Sequence, residues 1–270
     1  MSLGVLKEIK KDTFELFAFR KDGVDSLGYW RTDLSKIVDL KPLCKNLGLD
    51  TSSNFKNPKD LTAPGPQHPI IFSKPANTIT GPNESTRLPS KNLVINSLIQ
   101  KTVIEGELAI IIGSHAKDVK IEHAADYIFG FTTVNDITDK SEFFDCHQYP
   151  LTHGKYMDGY LPCASRILVD NSYGNLVTYQ DFSNKIIKTS KNDDVIQEQT
   201  TGDMIFDIPT LISRITIITL EPGDCIMTGT PVYKIDPPDI YIQAGDVVQV
   251  QIEGLQPITS LILEKDQPKH

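Results

Sequence analysis

Thr102-Val103-Ile104-Glu105-Gly106-Glu107-Leu108-Ala109-Ile110-Ile111-Ile112 places two glutamates one residue apart inside an otherwise apolar run. Such a run, rich in β-branched residues, reads as a strand. Alternation then puts Glu105 and Glu107 on one face and Ile104, Leu108, Ile110 and Ile112 on the other. Two carboxylates held this close raise each other's pKa and cost stability unless something accepts both charges, which a divalent cation does. Two readings follow: a metal site, or the solvated face of an edge strand.

The length of 270 residues with 39% hydrophobic content is enough for a full core in one large or two unequal domains. A net charge of −8, from 27 basic and 35 acidic residues, argues against nucleic acid or an anionic membrane as partner, and there is no Lys/Arg run. The apolar stretches fall far short of the ~20 residues that cross a bilayer. The N-terminus has neither a secretory nor a transit layout, so the expected location is cytoplasmic, or mitochondrial if a presequence has been removed. Cys44, Cys146, Cys163 and Cys225 lack C-x-x-C spacing and are expected as free thiols.

Thr13 to Phe19 and Leu27 to Trp30, separated by Lys21-Asp22-Gly23, read as strands of a small β-rich N-terminal unit. The polar, proline-bearing stretch 50–66 reads as a boundary loop. Short β patterns dominate after Ile70, with helical stretches near Ile121 to Tyr127 and from Asp207-Ile208-Pro209 to a stop before Glu221-Pro222-Gly223-Asp224. This pattern implies an α+β or all-β body rather than a doubly wound sheet.

Several segments now stand in order. They are Phe72-Ser73-Lys74-Pro75; Glu105-Gly106-Glu107-Leu108-Ala109; Phe129 to Asp136; Gly154-Lys155-Tyr156-Met157-Asp158; Thr201 to Phe206; Leu220 to Pro231, which contains Thr228-Gly229-Thr230-Pro231; and Gly245-Asp246-Val247-Val248. In order and approximate spacing they resemble the fumarylacetoacetate hydrolase family over about residues 69 to 255. The resemblance implies an α+β, predominantly β fold: a mixed β-roll catalytic domain over 67–270 behind a small β-rich N-terminal domain over 1–66. It also implies a homodimer, bound Mg2+ or Mn2+ (Ca2+ in crystals), and a small-molecule 2-oxo acid or β-dicarbonyl acid as substrate.

Position by position, the resemblance makes Glu105, Glu107 and Asp136 the metal ligands, an all-oxygen set suited to Mg2+. It makes Lys155 the lysine that neutralises a substrate carboxylate or developing oxyanion. Thr230, Gly229 and Gln197 become substrate contacts. Asp203, Asp224 and Asp246 match family positions too, and read as turn and cap residues.

The departures bear on the reaction. The family's C–C cleaving enzymes carry a Gly-x-Asn-Tyr-x-x-His segment whose histidine is a general base, whereas the comparable stretch Asn46 to Ser52 ends in serine. His147 and His153 lie between Asp136 and Lys155 and are candidate replacements. Where the family shows Ala-Arg-Asp this chain has Asp139-Lys140-Ser141, and where it shows Ala-Gly-Val this chain has Val232-Tyr233-Lys234. The expected activity is metal-dependent hydrolysis or decarboxylation of a C–C bond in an acylpyruvate or oxaloacetate-like acid. The alternatives are an isomerase or tautomerase working on the same chelated enolate, and a non-catalytic member that keeps fold and metal.

Overall fold

The computed structural model describes residues 54–58, 66–89, 101–140, 152–170 and 177–264, and the backbone of four strands between residues 14 and 50. In chain order these four are β1 (Phe14–Lys21), β2 (Val24–Arg31), β3 (Lys36–Asp39) and β4 (Gly48–Asp50). Next come β5 (Phe72–Lys74), β6 (Ile79–Thr80), β7 (Thr86–Leu88), β8 (Thr102–Val103), β9 (Gly106–Ile112), β10 (Ile128–Asn135) and β11 (Thr138–Asp139). After the short helix α1 (Thr152–Lys155) follow β12 (Leu161–Pro162), β13 (Arg166–Val169), β14 (Ile186–Lys191) and β15 (Asp194–Thr200). Helix α2 (Ile208–Ile215), β16 (Cys225–Met227), β17 (Val247–Ile252) and β18 (Ile258–Glu264) complete the order. The fold is α+β and predominantly β, as the sequence implies.

The largest sheet has nine strands in the order β3-β2-β1-β13-β10-β9-β16-β4-β5, and a second has five in the order β15-β14-β17-β18-β7. The expected N-terminal strands are present as β1 and β2, and β1 pairs with β13 at Phe14↔Ile167. Strand β9 lies between β10 and β16, so the edge-strand reading of the glutamate pair is set aside. Leu108, Ile110 and Ile112 of β9 and Phe131 of β10 meet Ile187 of β14 and Ile252 of β17 in one buried cluster. Gly106 lets the two sheets approach: a Cβ there would lie 2.4 Å from Thr189 Oγ1 and 2.7 Å from Val250 Cγ1. A two-residue turn at Asn192 and Asp193, both at positive φ, closes the β14–β15 hairpin.

Helix α2 forms where its caps and spacing direct. The Asp207 carboxylate accepts the Thr210 N–H at 2.9 Å, Pro209 sits in the first turn, and Ile208, Leu211, Ile212 and Ile215 bury one stripe. The helical stretch expected at Ile121–Tyr127 is a 3-10 helix. Among the described residues no helix is long and apolar enough to cross a membrane, and Cys163 and Cys225 are not disulfide-bonded.

One expectation needs correction. The strand from Thr102 to Ile112 is not continuous: β8 pairs with β11, β9 pairs with β10, and Ile104–Glu105 belongs to neither. Local bonds replace the ladder, because the Glu105 N–H donates to Asn135 Oδ1 at 3.0 Å and the Glu105 carbonyl accepts the Asp136 N–H at 2.8 Å. Ile104 therefore leaves the face of Leu108 and packs with Ile137, Tyr160 and Ile196 in a separate cluster.

Candidate metal centre

Glu105 stands at the strand break, Glu107 in β9, and Asp136 directly after β10, which pairs with β9 through Val134↔Glu107 and Asn135↔Gly106. The backbone bond from Asp136 to Glu105 ties the two segments together. One carboxylate oxygen from each residue lies within 4.8 Å of the others, and the three are 5%, 0% and 0% exposed. They form the group expected from the sequence, now buried rather than solvated.

Burial of three carboxylates requires compensating charge, and three lysines supply it. Lys155 Nζ contacts Glu105 Oε2 at 2.7 Å and also Asp136 Oδ2, and it lies 4.7 Å from the centre of the Phe72 ring. Helix α1 carries Lys155 and packs tightly on β11, since a Cβ at Gly154 would lie 2.4 Å from the Asp139 carbonyl oxygen. Lys74 is buried and holds Asp136 Oδ1 at 2.5 Å, the Ile137 carbonyl at 3.0 Å and the Tyr160 carbonyl at 2.7 Å. Lys140 reaches Glu105 Oε1 at 2.9 Å from a half-exposed position, with the Tyr233 ring centre 6.0 Å from its Nζ. The Thr138 hydroxyl donates to Glu105 Oε2 at 3.0 Å.

The two glutamates differ in electrostatics. At Glu105 burial is the largest single influence and raises the pKa, but Lys140 and Lys155 together outweigh it and bring the carboxyl to about 2. At Glu107 burial, reinforced by the Asp136 charge, pushes the carboxyl well above its usual range. Its Oε2 accepts the Gly229 N–H at 2.6 Å, whereas its buried Oε1 has no hydrogen-bond partner among the described residues. A buried acceptor without a donor, within reach of two further carboxylates, fits a cation ligand. An all-oxygen set of this kind suits Mg2+ or Mn2+ better than softer metals.

The expected substrate contacts lie beside this group. Gly229 donates to Glu107, and the Thr230 hydroxyl donates to the Gly106 carbonyl at 3.1 Å. Gln197 is fully buried, and its Nε2 donates to Thr230 Oγ1 at 2.9 Å and to the Pro231 carbonyl at 2.6 Å. Asp203, Asp224 and Asp246 each accept a backbone N–H from three residues upstream, those of Thr200, Glu221 and Gln243, at 2.9, 2.7 and 2.8 Å. They are turn and cap residues, as expected. His147 and Ser52 fall outside the described residues, and His153 is described only as backbone within α1.

Lys74, Asn135, Thr138, Lys140 and Tyr233 were not singled out as site residues by sequence reasoning. A signal existed for three of them: Lys74 sits in the Phe72 to Pro75 marker, and Lys140 and Tyr233 are departures from the family pattern.

The chain is similar to several known proteins. Over 207 residues the chain is 30% identical to an oxaloacetate tautomerase, mitochondrial, of Xenopus laevis, covering 76% of this chain and 61% of that one. Over 205 residues it is 31% identical to the 4-hydroxyphenylacetate degradation bifunctional isomerase/decarboxylase of Escherichia coli, covering 76% of this chain and 43% of that one. The chain thus spans less than two thirds of either relative's length. The crystal structure of 5-carboxymethyl-2-hydroxymuconate delta-isomerase from Mycobacterium smegmatis superposes with a TM-score of 0.71 at 25% identity, covering 95% of this chain and 100% of that one. The family model described as fumarylacetoacetate (FAA) hydrolase C-terminal matches residues 48–262, and with the buried Glu105, Glu107 and Asp136 group in place the chain belongs to the fumarylacetoacetate hydrolase family.

Proposed function

We propose that the chain is a divalent-cation-dependent enzyme acting on a small 2-oxo acid or β-dicarbonyl acid of the acylpyruvate or oxaloacetate class. The observation that carries this is the buried Glu105, Glu107 and Asp136 group, with an unpartnered oxygen on Glu107 and the Lys155 ammonium beside it. These three residues would hold Mg2+ or Mn2+. Bound there, the cation supplies Lewis acidity that lowers the cost of negative charge on a substrate keto oxygen.

The protein's own groups set the rest. Lys155, buried beside Glu105, stabilises negative charge that develops on the substrate oxygens or on its carboxylate. Gly229 and Thr230 border the same space from the far side of Glu107 and contact the substrate through backbone and side-chain edges. His147 and His153 lie between Asp136 and Lys155 in sequence and are the candidates for proton acceptor in place of the family histidine.

Two reactions are compatible with this machinery. Hydrolysis or decarboxylation breaks a C–C bond, and tautomerisation only moves a proton. The activities for which the relatives are named, tautomerase and isomerase/decarboxylase, support the isomerase or tautomerase reading equally well. All of these pass through deprotonation or carbanion character next to the keto group. The shared step is tested by following the C3 protons of a 2-oxo acid by NMR in D2O. Exchange that needs the protein and Mg2+ supports the reading, exchange no faster than without the protein leaves a non-catalytic member, and protein-dependent exchange unaffected by chelator contradicts the metal dependence. We further propose that the chain works as a homodimer, as its family resemblance implies.

A further inference from the structure

We infer that the segment Gly229 to Tyr233 is a strap that positions the two glutamates, with Gln197 as its anchor rather than a substrate contact; this rests on the metal-centre reading above. Three donors within these five residues reach the glutamate-bearing segment. The Gly229 N–H meets Glu107 Oε2 at 2.6 Å, the Thr230 hydroxyl meets the Gly106 carbonyl at 3.1 Å, and the Tyr233 hydroxyl meets the Ile104 carbonyl at 2.7 Å. They bracket Glu105 and Glu107 from both sides.

The strap is tied in turn to β15. The Val232 N–H donates to Gln199 Oε1 at 2.8 Å, the Lys234 N–H donates to the Ile196 carbonyl at 2.8 Å, and Tyr233 bridges Gln197. Gln197 adds both hydrogens of its amide, one to the Thr230 oxygen and one to the Pro231 carbonyl. A hydroxyl has a single proton. Because Thr230 gives its own to Gly106, it accepts from Gln197, and both amide hydrogens of the glutamine hold the strap while its buried Oε1 has no hydrogen-bond partner among the described residues.

Tyr233 is the end of the strap that this chain adds, standing where the family pattern shows glycine. Its contact falls at the strand break, where Ile104 and Glu105 belong to no ladder, and adds a bond at Ile104 to those that Glu105 makes with Asn135 and Asp136. Burial, followed by the Glu105 charge, pushes the phenol pKa well above its ordinary value, so the hydroxyl remains a donor. On this account Tyr233 and Gln197 are positioning residues that act through Glu105 and Glu107.

The test is Mn2+ titration by calorimetry of the full chain, beside Tyr233→Phe and Gln197→Met, with the Tm of each measured in chelator. Removal of a partner that orients a metal ligand lowers affinity by about 10–100-fold, and both variants should bind Mn2+ at least about tenfold more weakly. Tyr233→Phe keeps the ring and its packing, so it remains informative if Gln197→Met does not fold. A lower Tm with Mn2+ affinity within twofold of the parent would mean packing alone and would overturn the strap. If the parent itself fails to bind Mn2+, the metal-centre reading falls first and the strap with it.

Discussion

Replacing Glu107 with glutamine should make the cation-free protein more stable at pH 7 while removing its response to Mg2+. The amide keeps an oxygen for the Gly229 N–H and removes an ionisable group from a fully buried position beside Asp136. A carboxyl whose value is raised above the ordinary 4.5 by folding holds its proton more tightly in the folded chain than in the unfolded one, so it costs the fold stability as the pH rises above 4.5, and the amide removes that cost. Each kcal/mol regained should raise the Tm of a chain of this size by about 2–4 °C. The sign follows from the raised value. Below pH 4.5 both folded and unfolded chains hold the proton and the variant gains little; as the pH rises the unfolded chain ionises first and the gap widens. Urea unfolding in EDTA at pH 4.5, 6 and 7 measures this directly. At a Mg2+ concentration of 100 times Kd the parent should gain about 2.7 kcal/mol and the variant nothing. A variant less stable than the parent at pH 7 in EDTA, or a gap that does not widen with pH, would refute the reasoning.

Other changes test the supports around the centre. Lys74→Met removes the ammonium that serves Asp136 and two carbonyls, and should cost about 3–5 kcal/mol by denaturant unfolding in chelator. Gly106→Ala drives a Cβ against Thr189 and Val250 where the sheets meet, and should cost at least ~1–3 kcal/mol in the same assay. Glu105, held at about 2, contributes stability that is complete above 4.5 and lost as the pH falls toward 2, so acid unfolding of Glu105→Gln should show a shallower pH dependence over that range. Replacing His147 and His153 together should slow turnover by about a hundredfold if one of them is the base; turnover at the parental rate would remove both.

Much of this centre was legible in the residues because its signal is local. Two glutamates in an apolar strand and an aspartate closing the next are patterns of adjacent positions, and the α2 cap at Asp207 is written in three consecutive residues. The strand break at Ile104–Glu105 was not legible, because it depends on Asn135 and Asp136 arriving from β10 to take the backbone bonds. Lys74 was visible as part of a marker, but its role was not, since its partner Asp136 lies 62 residues away in sequence. Gln197 shows the limit from the other side. Its position suggested a site residue, but that its two amide hydrogens go to Thr230 and Pro231, 33 and 34 residues on, is visible only in the fold.

The most direct test of the account follows oxaloacetate and an acylpyruvate by proton NMR with the purified chain, in Mg2+ and in chelator, beside Glu107→Gln. The account predicts conversion of at least one compound that needs Mg2+ and is lost in the variant, with the product distinguishing decarboxylation, hydrolysis and tautomerisation. Conversion that persists in chelator or in Glu107→Gln would contradict a reaction centred on Glu105, Glu107 and Asp136.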